Sequence, residues 1–92
     1  MSELSKAMKD VIAERLRQVN KEGFTYEHDD EHDACELAMA AAAYCEHAIN
    51  QDDNIPGFWS WLEKDWNPKD RRRDLVRAAA LIIAEIERLD RA

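Results

Sequence analysis

Residues 67–90 read NPKDRRRDLVRAAALIIAEIERLD, and this stretch decides the fold. Leu75, Ala79, Ile82, Ile86 and Leu89 recur at four- and three-residue intervals, the period of an α-helix rather than a strand. Asn67 is a good N-cap. Pro68 suits the first helical position, where its missing N–H would have no intrahelical partner anyway. Asp70, three past that cap, takes the place of the acid in a capping box. The spacing predicts a helix near 68–90. Val76 and Ile83 widen its stripe, so two partner helices can pack on it. Glu87 and Arg91 stand four apart, as an exposed ion pair would.

Two earlier segments carry the same period. Leu4, Met8, Val11, Ile12, Leu16 and Val19 predict a helix near 3–20, stopped by Gly23 with Phe24 as the apolar contact behind the cap. Glu14 and Gln18 lie one turn apart beside this stripe; they are either solvated, the commoner case, or border a cavity. A second helix is expected near 31–50, with Asp29 or Asp30 as its N-cap and Leu37, Ala41, Tyr44 and Ala48 facing the core. The run Ala40–Ala43 leaves room for close approach of another helix or for a ligand. Asp52 to Gly57 is turn-forming. Phe58, Trp59, Trp61 and Trp66 follow, in a connection too long for a plain helix–helix turn. These rings either fold back as a lid or line a binding surface. The expected fold is all-α: a compact bundle of three main helices with an aromatic-rich connection before the last, one helical domain over 1–92. Leu16, Leu37, Tyr44, Ala79, Ile82 and Ile86 are expected to be buried together.

The charge balance excludes some partners. With 13 Lys and Arg against 20 Asp and Glu, the net charge is −7. Such a chain repels nucleic acid at long range. Cys35 and Cys45 stand roughly 15 Å apart on one helix, too far to pair. They read as small buried hydrophobes of a reducing compartment. No apolar run reaches membrane-spanning length and no signal-peptide core is present, so the expected location is cytoplasmic. The last helix is apolar over more than one face, which predicts a homodimer or larger assembly.

The polar residues fall into two groups. Residues 27–33, EHDDEHD, hold five carboxylates and two imidazoles. Such crowding needs a cation, a basic partner or a helix N-terminus to offset it. Its basic counterpart is KDRRRD at 69–74. Asp33 and Glu36, one turn apart, have the spacing to hold Mg²⁺ or Mn²⁺. His28 and His32 are also four apart, but His28 is expected to precede the helix, which weakens a transition-metal reading. Arg72 continues the core stripe, and Arg73 aligns with Arg77. An arginine on a core side wants a carboxylate or a phosphate. The structural answer is a pair with Asp33 or Glu36. The functional answer is a phosphorylated ligand at the helix end. The ligand-binding candidates are Asp30, His32, Trp66, Lys69, Arg72, Arg73 and Arg77; the metal candidates are Asp33 and Glu36. The chain carries no Ser/His/Asp pattern, Gly-rich phosphate loop or CxxC pair, which argues against covalent hydrolysis.

Several segments together resemble a family of small phage and prophage proteins. They are Ile12-Ala13-Glu14-Arg15, Gln18, Glu22-Gly23-Phe24-Thr25, His28-Asp29-Asp30, Glu36-Leu37-Ala38, Ala40-Ala41 and Tyr44. Trp66, Pro68, the run Arg72 to Ala79 and the run Glu85 to Asp90 complete the likeness. More distantly, the helix order is similar to the all-α nucleotide pyrophosphohydrolases of the MazG type. That similarity implies Mg²⁺ held by a Glu-x-x-Glu and a Glu-x-x-Asp pair for attack on a nucleoside triphosphate. Asp33-x-x-Glu36 stands where the first pair would be. Asp74-x-x-Arg77 replaces an acid of the second with a cation, which favours phosphate contact over metal binding. Two functions follow as expectations. One is a phage-type accessory protein binding a phosphorylated nucleotide, as a divergent or inactive pyrophosphohydrolase. The other is an acidic interaction protein that inhibits a host protein concerned with defence or nucleic-acid processing.

Overall fold

The computed structural model describes residues 3–32 and 34–92. Its elements are α1 (Lys6–Lys21), α2 (Tyr26–Asp30), α3 (Glu36–Asn50), a 3₁₀ turn (Glu63–Asp65) and α4 (Arg71–Arg91). The fold is all-α, with three main helices packed together and an aromatic cluster in the connection before the last. Among the described residues, no helix is long and apolar enough to cross a membrane.

Local chemistry sets the ends. Ser5 caps α1 by accepting from the Met8 amide, and Gly23, at φ +74°, turns the chain out of it. Thr25 caps α2, and Asp70 caps α4 by accepting from the Arg73 amide. Asn67 and Pro68 therefore lie outside α4, three residues before the true cap. Residues 26–50 form two helices rather than one. Arg15 anchors Asp29, so α2 is tied to α1 by an ion pair and packs on α4 instead of running in line with α3. The chain then reverses through Cys35, whose φ is +70°. That places Cys35 outside the helix and exposed, contrary to a buried role.

α4 is the hub: it packs on α3 and on α1, while α1 and α3 have at most a minor contact with each other. α3 and α4 are antiparallel, for Arg71 donates to the Ala48 carbonyl near one end and Arg77 lies over Tyr44 a turn and a half further along. Their shared core is Leu37, Ala40, Ala41, Tyr44, Ala78, Leu81 and Ala84. The alanines bring the backbones close, and Leu37 and Leu81 each contribute about 2 kcal/mol by burial. The run at 40–43 thus serves close packing.

The expected core is corrected in one respect. Leu37 and Tyr44 are buried, but Leu16, Ile82 and Ile86 are about half exposed, with Leu75 and Leu89. The reason is size. α4 carries two apolar faces, and only the one with Ala78, Leu81 and Ala84 is flat enough for the alanine surface of α3. The bulkier stripe turns outward. Glu87 and Arg91 do not pair with each other either: Glu87 accepts from Arg15, and Arg91 binds Asp30.

Candidate functional site

Because α1 and α3 diverge on either side of α4, a cleft of about 910 Å³ opens between them. This is the size of a small-ligand site. Arg77 and Leu81 of α4 line it, with Glu14, Arg17 and Gln18 of α1 on one side and Tyr44 of α3 on the other. The connection supplies Trp59, Trp61 and Trp66, so all three tryptophans of the chain line the cleft. The rings brace one another. Tyr44 stacks on Trp66 at 4.9 Å, and Trp59 meets Trp66 and Trp61 edge-on at 5.0 and 5.3 Å. Trp59 Nε1 donates to the Leu62 carbonyl at 2.9 Å, which fixes the turn.

The electrostatics of the wall are specific. Glu14 is 2 % exposed, accepts two bonds of 2.8 Å from Arg17, and is also bound by Arg73. Burial alone would raise its carboxyl pKa. The Arg17 and Arg73 guanidiniums outweigh that and hold it below the usual range. Arg17 reaches Glu22 as well, at 3.0 Å. Burial pushes the Tyr44 phenol up, opposed by Arg77, whose guanidinium carbon lies 5.5 Å from the ring centroid. Arg77 donates to the Asn67 carbonyl and has no carboxylate partner among the described residues. Among the described residues, three buried polar side-chain atoms lack a partner: Gln18 Oε1, Trp61 Nε1 and Arg77 Nε. All three residues line this cleft. Buried polar groups are normally paired, so this clustering marks the surface that a polar ligand would complete.

Below the cleft, His47 Nδ1 meets Asp74 at 2.5 Å, and the other Asp74 oxygen accepts from the Lys69 amide at 2.7 Å. Asp74 is fully buried and fastens the connection to α4. At the rim, His28 and His32 also line the cleft.

The sequence candidates separate. His32, Trp66 and Arg77 line the cleft. Arg72 and Arg73 line a second hollow of about 370 Å³, where Arg72 pairs with Asp10 at 2.9 Å. Arg72 is exposed and lies off the core, and neither it nor Arg77 pairs with Glu36. Asp30 is bound to Arg91 at 2.7 Å. Lys69 takes part through its backbone. Asp33 lies outside the described residues. Glu36 accepts from the Ala34 amide at 2.7 Å and from His32 at 3.1 Å, and the His32 contact holds its carboxyl below the usual range. Glu36 stands about 12 Å along α3 from Tyr44 and the Arg77 above it, and roughly 16 Å from the level of Asp74. Glu36 and Asp74 do not converge on one ion within a protomer. No group of three or more His, Cys, Asp or Glu side chains gathers as a ligand set among the described residues.

The sequence pattern does not reveal Arg15 or its pairing with Asp29, while it leaves Glu14 and Gln18 open as the border of a cavity and the tryptophans open as a binding surface. Glu14 and Gln18 are buried, not solvated. Arg15 spends four donor contacts on Asp29, Glu87 and the Phe24 carbonyl, at 2.9 to 3.1 Å. One signal pointed to it: Arg15 falls in line between Val11 and Val19, at four-residue steps. Comparison with protein-family models, curated proteins and solved structures found no match for this chain.

Proposed function

We propose that the cleft binds a phosphorylated nucleotide, with its base against the tryptophan wall and its phosphates toward Arg77 and Lys64. The observation that carries this reading is that aromatic rings and a buried guanidinium with no carboxylate partner among the described residues line one cleft side by side. Stacking on aromatic rings is worth about 1 to 3 kcal/mol per base, and arginine suits phosphate oxygens. Binding without turnover fits better than hydrolysis. Glu14 and Glu22 are already held by guanidiniums. The location that goes with this role is the cytoplasm, the host's if the chain is phage-encoded.

The test is a titration followed by tryptophan fluorescence. A nucleoside triphosphate should quench the signal and the bare nucleoside should act far more weakly. Arg77→Lys should weaken phosphate-dependent binding about tenfold, the loss of roughly one charge-assisted contact. Equal response to nucleoside and nucleotide would defeat the phosphate assignment. Pyrophosphate release with Mn²⁺, lost in Glu36→Gln, would restore hydrolysis.

Self-association belongs to the same proposal. Leu75, Ala79, Ile82, Ile86 and Leu89 keep the four–three spacing of a coiled-coil seam on a face that no helix of the protomer covers. Leu4, Met8, Ile12 and Leu16 add a second exposed stripe on α1. Eight large apolar side chains on the two stripes are about half exposed, the kind of surface that a further subunit covers. A second copy of this chain is the occupant we assign. Sedimentation at micromolar concentration should show a dimer or larger. A monomer there would leave the face to another protein, which is the host-inhibitor reading.

A further inference from the structure

We propose that His28 and His32 form a two-imidazole site for a divalent transition-metal ion, of the zinc, nickel or copper class, at the rim of the cleft. The site is separate from the nucleotide reading in its donor atoms, which are the two imidazole nitrogens and not Arg77, although Trp61 of the tryptophan wall packs beside both rings.

Thr25 caps α2, and the chain continues past Asp30 with the His32 amide bonded to the Asp29 carbonyl at 3.0 Å. His28 and His32 therefore sit one turn apart on one face, with ring centroids 4.5 Å apart. Phe24 stacks on His28 at 4.6 Å with 10° between the planes, and Trp61 lies 5.4 Å from His32. Both imidazoles are held in place before any ligand arrives.

Hydrogen-bond accounting then fixes the tautomers. His28 Nδ1 is 3.0 Å from Asp29 Oδ1, and His32 Nδ1 is 3.1 Å from Glu36 Oε2. An ionised carboxylate only accepts, so each Nδ1 must donate. The other Asp29 oxygen is bound by Arg15 at 2.9 Å, and the other Glu36 oxygen by the Ala34 amide at 2.7 Å, which keeps both carboxylates in the accepting state. With Nδ1 protonated, a neutral imidazole carries a lone pair at Nε2. The two Nε2 atoms face each other at 3.1 Å. Two lone pairs at that distance repel, and a cation shared between them removes the repulsion.

A metal ion fits that space. At the usual 2.0 to 2.1 Å from each nitrogen, a 3.1 Å separation corresponds to an N–metal–N angle of about 98°, between octahedral and tetrahedral values. Each imidazole also has the carboxylate behind it that metal-bound histidines commonly have. The donor set is nitrogen, so it selects against Mg²⁺, which prefers oxygen. Two imidazoles leave coordination positions open, and no third His, Cys, Asp or Glu among the described residues joins them. Both residues line the cleft, so those positions are open to water or to a ligand within it.

The experiment uses the full chain, stripped of metal with a chelator, carrying Cys35→Ser so that the exposed thiol takes no part. Zn²⁺ and Ni²⁺ should each bind with one site per chain by calorimetry, and both imidazole Nε2 resonances should shift in nitrogen-15 spectra. Mg²⁺ should do neither. His32→Phe and His28→Phe should each reduce affinity at least tenfold; the latter keeps a ring stacked on Phe24. Glu36→Gln should reduce it about tenfold by freeing the His32 ring. His32→Phe keeps the test open if His28→Phe disturbs the fold. Unchanged affinity in His32→Phe would overturn the proposal. So would the absence of Zn²⁺ and Ni²⁺ binding, in which case the two nitrogens share a proton alone.

Discussion

The two seams of α4 are built on opposite principles. Against α3 it buries Ala78, Leu81 and Ala84 on Leu37, Ala40 and Ala41. Against α1 it meets a helix whose buried residues are Glu14, Arg15 and Gln18, while Leu4, Met8, Ile12 and Leu16 stay about half exposed. The first seam rests mainly on dispersion and the hydrophobic effect, which are non-directional and need only shape, with His47–Asp74 and Arg71 to the Ala48 carbonyl as polar contacts at one end. The second is held by guanidinium–carboxylate pairs, which are directional. Arg15 ties α1 to α2 and α4 at once. The difference teaches that hydropathy alone does not choose the inward face. α1 turns its polar side inward because that side carries the partners that set its angle, and that angle holds the cleft open. Its apolar side stays about half exposed.

The comparison breaks most visibly at the polar seam. Arg15→Met should cost about 3 to 5 kcal/mol, because Asp29, fully buried, loses its counter-charge. Chemical denaturation at fixed protomer concentration measures this. The double variant Arg15→Met with Asp29→Leu should recover much of the loss, since replacing a whole buried pair by apolar groups is often near neutral. If the double variant is no better than the single one, the pair contributes more than the cost of an orphaned charge. At the apolar seam, Leu81→Ala should cost about 2 to 5 kcal/mol through the cavity it leaves. Ile82→Ala, one residue on but half exposed, should cost the isolated protomer no more than about 1 kcal/mol. Equal losses at 81 and 82 would mean that the outward stripe is covered in the folded unit.

Most of the fold was legible in the sequence, and the inward faces were not. Periodicity marks helices because burial imposes a repeat, so three main helices and the Gly23 stop could be read directly. It cannot say which of two apolar faces on α4 meets α3. That depends on the alanine surface of the partner, and Ile82 and Ile86 were therefore placed inside. The break at Cys35 was hidden because the Asp29 pair that causes it spans 14 residues of chain. Of the site, Trp66, His32 and Arg77 were visible from residue chemistry. For Glu14 and Gln18 the choice between solvent and a cavity, and for Trp61 that between lid and binding surface, stayed open, since it is settled by how α1 and α3 sit on α4, a tertiary fact. His28 was set aside because its helix was expected to begin later.

A smaller effect sharpens the contrast at the apolar seam. Ala41→Leu should cost about 1 to 3 kcal/mol by forcing the α3 and α4 backbones apart. The same residue change on the outward side, Ala79→Leu, extends the coiled-coil seam and should strengthen self-association instead. Sedimentation of both variants separates the two faces. Ile82→Asp should convert the assembly to protomers while leaving the helical circular dichroism signal in place. An assembly that survives Ile82→Asp would require an interface elsewhere.

The smallest expected effect is a pH dependence at the polar seam, carried by Glu14. Glu14 has its folded pKa lowered: burial works against this, but Arg17 and then Arg73 prevail. A carboxylate with a depressed folded pKa binds protons more readily when unfolded. Its contribution is therefore complete above the ordinary glutamate pKa, about 4.3, and drains away as pH falls below that value toward the folded one. Stability measured from pH 7 downward should stay level with respect to this group and then decline in the acid range. Glu14→Gln should lower stability at pH 7 and flatten part of that decline, because an amide cannot titrate. Leu81→Ala should shift the whole curve down without changing its shape. If Glu14→Gln and Leu81→Ala gave curves of the same shape, the Arg17–Glu14–Arg73 cluster would carry no charge-dependent stability. The wall between cleft and hollow would then rest on packing, as the α3 seam does.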